Sequence, residues 1–220
     1  MTMQQTAIIL GSASEIGIYL RERLDADGWQ TYGWKRGEAV PLHPWDLALC
    51  CIGQVAPVGL WPTAHKFYSA ILSNLLLPMH LMRSIWDTHK PDAAVCFLAG
   101  SNPNRTMAGY SSYNIGKMGL LKAVESMDAE TPDAKFFALA PGYIPTKIHR
   151  ATFDANWPNE VIARGPTATM EGVYACLKWC LEQPKNIIGG RNICASDPMS
   201  NELAARLALN PSLYKLRRIE

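Results

Sequence analysis

Residues 6–17 read Thr6-Ala7-Ile8-Ile9-Leu10-Gly11-Ser12-Ala13-Ser14-Glu15-Ile16-Gly17, and this stretch decides the fold. Its first five residues are apolar and partly β-branched, which is typical of a buried strand. A glycine-bounded turn follows, and then Ile16, Leu20 and Leu24 recur at helical spacing. A strand, a glycine turn and a helix predict the first unit of a doubly wound sheet, whose turn holds a phosphate group against the helix N-terminus. The alternative is an ordinary strand-to-helix turn that needs glycine.

The rest of the chain alternates strands with helices, which predicts a parallel α/β sheet. Short apolar runs predict further strands at residues 29–34, 46–51, 92–100, 135–140 and 191–194. Apolar residues at helical spacing predict helices at residues 62–88, with a kink at Pro78, at about 113–129 and at 167–182. Residues 143–165 contain two prolines and mixed polarity, which favours a mobile lid.

The segment between the second strand and the strand at 46–51 is unusually short. Only about ten residues separate Arg36 from the strand at 46–51, which is too few for a crossover with a full helix. Residues 39–42 are predicted to form at most a stub of a third strand. The adenine side of a nucleotide pocket here is therefore expected to be open.

Composition indicates one globular domain spanning residues 1–220. The chain has 48% hydrophobic and 18% charged residues, and its net charge of +2 is too small to suggest nucleic acid or an anionic membrane as a partner, so neither is expected. The N-terminus lacks the basic start of a signal peptide, and no apolar run is long enough to span a bilayer. We expect a cytoplasmic protein, with its six cysteines reduced and no metal site.

Tyr113 and Lys117 form a Tyr-x-x-x-Lys pattern within a predicted helix. Residues four apart lie on one helical face, so the phenol and the ammonium can meet. A nearby positive charge is expected to lower the phenol pKa from its ordinary value of about 10, so that the tyrosine can transfer protons near neutral pH. Taken alone, such a pair is more often an ordinary surface pair.

Lys35 and Arg36 follow the second strand, where a dinucleotide fold places the adenosine ribose. A basic residue there suits a 2′-phosphate, because guanidinium and phosphate match in geometry and charge. This favours NADP(H) as the cofactor, with NAD(H) as the alternative. The other interpretation is that Lys35 and Arg36 are only a solvated pair of loop charges that binds no ligand.

Several motifs occur together in one order along the chain. They are Gly11 to Gly17, Asn74, Ser101, Tyr113-x-x-x-Lys117 and Pro141-Gly142-Tyr143-Ile144-Pro145-Thr146. In this the chain resembles the short-chain dehydrogenase/reductase family over nearly its whole length. The resemblance implies a single Rossmann-type domain of seven parallel strands with an Asn-Ser-Tyr-Lys catalytic set.

The resemblance also implies a role for each catalytic residue. Tyr113 would be the general acid or base, Lys117 would lower the Tyr113 pKa and bind the nicotinamide ribose, and Ser101 would donate a hydrogen bond to the substrate oxygen. Asn74 would support a water that relays protons to Lys117. The residues expected to bind the cofactor are Gly11, Ser12, Ser14, Ile16, Gly17, Lys35, Arg36, Cys51, Gly53, Tyr113, Lys117, Pro141, Gly142, Ile144 and Thr146.

Two side-chain departures from the family pattern add to the shortened segment. Glu15 stands where the family has a glycine that lets the backbone approach a pyrophosphate, so its carboxylate must turn outward or repel the ligand. Cys50-Cys51-Ile52-Gly53 stands where the family usually has Asn-Asn-Ala-Gly, which removes amide hydrogen bonds between strands.

The sequence therefore predicts an NADP(H)-dependent oxidoreductase that acts on a small-molecule carbonyl or alcohol. A sugar is one candidate substrate, because residues 146–149 and 214–218 look similar to family members associated with bacterial surface polysaccharides. A non-catalytic dinucleotide-binding sensor or scaffold and a sugar-nucleotide epimerase are the alternatives. An epimerase usually has a larger substrate domain, and here the chain after Pro141 is mostly needed to finish the sheet.

Assembly into a homodimer or homotetramer is expected through the helices that hold Asn74 and Tyr113. Apolar residues occur all round both helices, which suggests a partner as well as the sheet. These residues include Leu75, Leu76, Met82, Met118, Leu120 and Leu121.

Overall fold

A computed structural model describes residues 4–100 and 107–216. Within these residues six strands form one parallel sheet in the order β2-β1-β3-β4-β5-β6. The strands are β1 Thr6–Leu10, β2 Gln30–Trp34, β3 Trp45–Cys50, β4 His89–Leu98, β5 Ala134–Ala140 and β6 Asn192–Cys194. The predicted doubly wound α/β fold is confirmed, although β4 begins three residues earlier than expected.

Helices cover both faces of this sheet. The α-helices are α1 Glu15–Ala26, α2 Ala64–Ile71, α3 Leu77–Ile85, α4 Ser111–Glu130, α5 Arg150–Asp154, α6 Glu160–Ala163, α7 Met170–Glu182, α8 Lys185–Ile188 and α9 Asn201–Leu209. Helices α1, α7 and α9 pack on one face, and α3 and α4 on the other. In β1, Ala7 and Ile9 face the first layer while Ile8 and Leu10 face the second, so every residue of the strand is buried.

The predicted stub of a third strand at residues 39–42 is wrong. These residues form neither strand nor helix, and the described sheet has six strands where the family resemblance implied seven. Strand β2 is therefore an edge strand, and the His43 ring stacks on its Tyr32 at a centroid distance of 3.7 Å. The chain then passes directly to β3 on the other side of β1, which confirms the shortened connection.

The predicted helix over residues 62–88 is divided by a π-turn. Residues Leu72–Leu76 separate α2 from α3, and the Leu77 N–H donates to the Leu72 carbonyl five residues back. Pro78 has no N–H, so it cannot supply the hydrogen bond that the Asn74 carbonyl would accept in an α-helix. The irregularity therefore centres on Asn74, one turn before the predicted kink, and such π-turns are frequent at functional sites.

No helix in the described part of the chain is long and apolar enough to cross a membrane.

Candidate active site

A cavity of about 440 Å³ lies at the carboxyl ends of the strands, where open α/β sheets bind ligands. Its walls come from the start of α1, from residues 51–56 after β3, from residues 98–100 at the end of β4, from the first turns of α4 and from residues 141–149 after β5. These segments meet because the strands that precede them are parallel neighbours in the sheet.

The glycine turn after β1 leaves two amides free beside this cavity. Gly11 has a φ of +91°, and a Cβ at Gly17 would lie 2.5 Å from the Gly11 carbonyl oxygen, so both positions require glycine. The Ser14 side chain caps α1 by accepting from the Gly17 N–H at 3.0 Å. The N–H groups of Glu15 and Ile16 have no hydrogen-bond partner among the described residues, which fits a helix end that binds an anion.

Lys117 is fixed beneath the cavity by the ends of two strands. Its side chain is buried, and Nζ donates to the Leu98 carbonyl at 2.8 Å and approaches the Ile52 carbonyl at 3.5 Å. A Cβ at Gly53 would lie 3.1 Å from Nζ, so that glycine makes room for the ammonium. The contacts hold the positive charge in one place before any ligand arrives.

Tyr113 lines the same cavity one helical turn earlier. A Cβ at Gly100 would lie 3.5 Å from the Tyr113 hydroxyl, so the hydroxyl sits directly over the end of β4. Ser101 itself, the predicted oxyanion donor, lies outside the described residues.

The expected lowering of the Tyr113 pKa is wrong for this structure. Burial raises the pKa of Tyr113 to about 12 and lowers the pKa of Lys117 to about 8. The cost of removing the charge from water dominates both pKa values, and the Lys117 ammonium donates to the Leu98 backbone carbonyl. At neutral pH Tyr113 is consequently a neutral phenol that can donate a proton, while Lys117 is mostly charged.

Asn74 lies beside the cavity rather than in its wall. Its side chain is fully buried, donates to the carbonyls of Gln54 at 2.8 Å and Ala70 at 2.9 Å, and accepts from the Gln54 N–H at 3.1 Å. A Cβ at Gly116 would lie 2.7 Å from the Asn74 Cβ, so the π-turn packs closely on α4. Asn74 therefore ties the segment after β3 to α2, and it packs against α4.

Most of the predicted cofactor residues come together in this cavity. Those that line it are Ser14, Ile16, Cys51, Gly53, Tyr113, Lys117, Pro141, Gly142, Ile144 and Thr146. Gly11, Ser12 and Gly17 shape the turn without lining the cavity.

Lys35 and Arg36 are exposed outside the lining and follow the edge strand β2. The Lys35 ammonium pairs with Glu38 at 3.1 Å, an acidic neighbour that the sequence interpretation did not weigh. Arg36 forms no ion pair among the described residues.

Residues 143–165, the predicted lid, are docked on the start of α4. The Tyr110 hydroxyl donates to Thr152 at 3.0 Å and accepts from the Asn159 amide at 2.9 Å, and the Trp157 indole N–H donates to the Ala108 carbonyl at 2.9 Å. His149 also lines the cavity, with its ring edge-on to Tyr143, and burial lowers its pKa. Sequence reasoning missed Tyr110 and Asn159, because no local sequence pattern indicates a hydrogen bond between residues 49 positions apart.

A contact across the cavity was also missed. The carboxylate of Glu15 accepts a hydrogen bond of 2.7 Å from the backbone N–H of Lys147, which follows β5. The turn at Glu15 had signalled an unusual charge, although its partner 132 residues away had no signal in the sequence.

The described residues contain no group of three or more His, Cys, Asp or Glu side chains that could hold a metal ion.

Comparison with known proteins gives structural matches only. No protein-family profile and no curated sequence matches the chain. An oxidoreductase of the short chain dehydrogenase/reductase family from Burkholderia thailandensis is 18% identical, with a TM-score of 0.69, over 95% of this chain and 99% of that one. A variant of actinorhodin polyketide ketoreductase solved with NADPH is 14% identical, with a TM-score of 0.75, over 90% and 98% of the two chains.

A third structure is the aldohexose dehydrogenase of Thermoplasma acidophilum. It is 14% identical, with a TM-score of 0.72, over 87% of this chain and 92% of that one. At such identities structural likeness establishes architecture, and fold alone does not decide chemistry. The chain therefore has the fold of the short-chain dehydrogenases/reductases.

Proposed function

We propose that the protein is an NADP(H)-dependent oxidoreductase that reduces a carbonyl or oxidises an alcohol, with Tyr113 as the acid or base. The observation that carries the proposal is the placement of Tyr113 and Lys117 on one face of α4, at the cavity, with the ammonium anchored to the end of β4. A sensor would not need a proton donor beside a fixed ammonium.

The residues present fit a nicotinamide dinucleotide. The free amides of Glu15 and Ile16 suit its pyrophosphate, Lys117 suits the nicotinamide ribose, and the backbone at Ile144 with Thr146 suits the carboxamide. When bound, the nicotinamide supplies or accepts the hydride.

Tyr113 provides the proton that accompanies carbonyl reduction. Because its pKa is about 12 in the cofactor-free protein, the phenol is protonated and available at neutral pH. As the proton moves to the substrate oxygen, the Lys117 ammonium stabilises the phenolate that forms. Ser101 is proposed to hydrogen-bond that oxygen, and the Asn74 carbonyl is proposed to hold a water that returns a proton through Lys117.

A sugar remains a candidate substrate. Gln54, Asn114 and His149 line the cavity and can hydrogen-bond hydroxyl groups, and one of the similar structures is an aldohexose dehydrogenase. The test is NADPH oxidation with a panel of aldoses, ketones and acyl carbonyls, run in parallel with the Tyr113→Phe variant. Turnover of at least one compound that the variant does not support is the expected result, and no turnover of any class would contradict the proposal.

The cofactor preference gives one prediction. Arg36 is exposed and free of ion pairs among the described residues, so it can take a 2′-phosphate, whereas Lys35 is already paired. NADPH is expected to bind more tightly than NADH. Hydrogen bonds to charged groups contribute roughly 1.5–3 kcal/mol, so Arg36→Asp should weaken NADPH binding about tenfold to a hundredfold and leave NADH nearly unaffected.

Fluorescence titration of both dinucleotides measures this preference. Lys35→Ala is the matched control, and its smaller effect on NADPH would reflect the existing pair with Glu38. Equal affinities for NADPH and NADH in the unmodified protein would contradict the assignment.

We also propose a homodimer or homotetramer through one exposed apolar face. Tyr68, Leu72 and Leu76 follow each other at four-residue spacing and are 69%, 54% and 54% exposed. Several residues named from the sequence face the interior instead, namely Met82, Leu120 and Leu121, while Leu75 packs against Gly119. An exposed apolar row of this kind is typical of an interface.

Leu72→Glu places a charge in the middle of this face and is expected to convert the oligomer to monomer. Light scattering at micromolar concentration measures the mass, and Leu42→Glu, at an exposed leucine far along the chain, is the control. A monomeric unmodified protein would rule out this assembly.

A cytoplasmic location is proposed as well, supported by six cysteines that are all free thiols.

A further inference from the structure

Glu15, in the glycine turn after β1, connects two walls of the cavity. It is the first residue of α1, and its carboxylate accepts from the backbone N–H of Lys147 at 2.7 Å. Lys147 begins the short 3₁₀ turn Lys147–His149 after β5, and both residues line the cavity. The hydrogen bond therefore spans the crevice between the start of α1 and the segment that follows β5.

The position of this carboxylate matters because the same helix end is the proposed phosphate site. The free N–H groups of Glu15 and Ile16 attract an anion, and the Glu15 side chain brings a negative charge to the same turn. Two anions a few ångströms apart in a partly buried site repel each other strongly. A cofactor phosphate and the Glu15 carboxylate in its present position therefore disfavour each other.

The opposite wall offers a second partner for the phosphate. The Lys147 side chain is exposed, and its ammonium forms no ion pair among the described residues. The Lys147 N–H is satisfied only by Glu15. Lys147 thus lines the cavity with an N–H that only Glu15 engages and with an ammonium that no described acidic residue pairs.

We propose that Glu15 is an internal competitor of the cofactor: in the cofactor-free protein its carboxylate takes the place of a cofactor phosphate and straps α1 to the Lys147 segment. This inference rests on the proposed function. Binding of the dinucleotide releases the strap, so Glu15 sets the affinity of the site without contacting the reacting atoms.

Two substitutions separate its charge from its hydrogen bond. Glu15→Gln keeps an acceptor for the Lys147 N–H but removes the charge, and Glu15→Ala removes both. Each is expected to tighten NADPH binding at least tenfold in a fluorescence titration, with Ala at least as tight as Gln. Glu22→Gln makes the same charge change on an exposed part of α1 and is expected to leave the affinity unchanged.

Hydrogen exchange of the Lys147 amide tests the strap without any cofactor. The amide is expected to exchange slowly in the unmodified protein and in Glu22→Gln, and faster in Glu15→Ala, because Glu15 is its acceptor. A change of affinity through a general loss of structure would not single out this amide.

The outcomes distinguish the strap from the proposed function. Tighter NADPH binding in both Glu15 variants, with faster exchange at Lys147 in Glu15→Ala, supports the inference. If the unmodified protein binds NADPH as tightly as the Glu15 variants or more tightly, the inference is overturned and the proposed function stands. If neither the unmodified protein nor any variant binds NADPH or NADH, the proposed function and this inference both fall.

Discussion

The Tyr113→Phe variant is expected to lose turnover by about 10²–10⁴-fold while binding NADPH nearly as tightly as the unmodified protein. Phenylalanine keeps the ring that lines the cavity and removes only the hydroxyl that lies over Gly100. The hydroxyl is protonated at neutral pH, so its loss removes the proton donor.

The result is checked by steady-state rates with the best carbonyl of the panel and by cofactor titration. Tyr68→Phe is the control, because it makes the same chemical change at an exposed site on α2. Turnover of Tyr113→Phe at the unmodified rate would remove the central residue from the mechanism.

Lys117→Met is expected to lower both turnover and cofactor affinity. Its loss of turnover is expected to exceed that of Tyr113→Phe. Methionine is of similar length and fits beneath Gly53, but it has no charge to stabilise the phenolate or bind the ribose. Because the Lys117 pKa is about 8, cofactor binding by the unmodified protein should weaken as the pH rises through about 8. This dependence should disappear in the variant, and its persistence would assign the titration to another group.

The free energy of unfolding should change with pH in the opposite direction to cofactor binding, because it should rise as the folded Lys117 loses its proton. The unfolded lysine holds its proton up to about 10.5 and the folded one only up to about 8, so between these values the unfolded state binds more protons and the free energy of unfolding rises with pH. The displacement corresponds to roughly 3 kcal/mol. Urea unfolding below and above this window should show the rise in the unmodified protein relative to Lys117→Met, and parallel curves would contradict the lowered pKa.

The sheet could be predicted because its strands are short apolar runs buried on both faces. The first unit, Thr6–Leu10 with its glycine turn, is specified locally by β-branched residues and by Gly11 and Gly17. The stub at residues 39–42 did not form because Pro41 has no N–H to donate to a ladder, so the outer side of β2 has no strand partner among the described residues. The π-turn at Asn74 is a matter of backbone hydrogen-bond register, which side-chain periodicity does not encode.

The candidate site divides in the same way. Tyr113, Lys117, Gly53 and Thr146 were predicted from ordered motifs, and the structure brings them to one cavity. The pKa of Tyr113 was misjudged because burial, which only the folded chain determines, dominates it. The Glu15–Lys147 contact could not be foreseen, because it joins residues 132 positions apart that follow strands which are not neighbours in the sheet.

An equilibrium titration of the protein with NADPH, monitored by fluorescence and run alongside Lys117→Met and Glu15→Gln, tests directly whether this cavity binds a nicotinamide cofactor. We expect saturable one-to-one binding that is weakened by Lys117→Met and tightened by Glu15→Gln. The absence of saturable binding of NADPH and NADH, in both the unmodified protein and Glu15→Gln, would contradict the central claim that this cavity is a nicotinamide cofactor site.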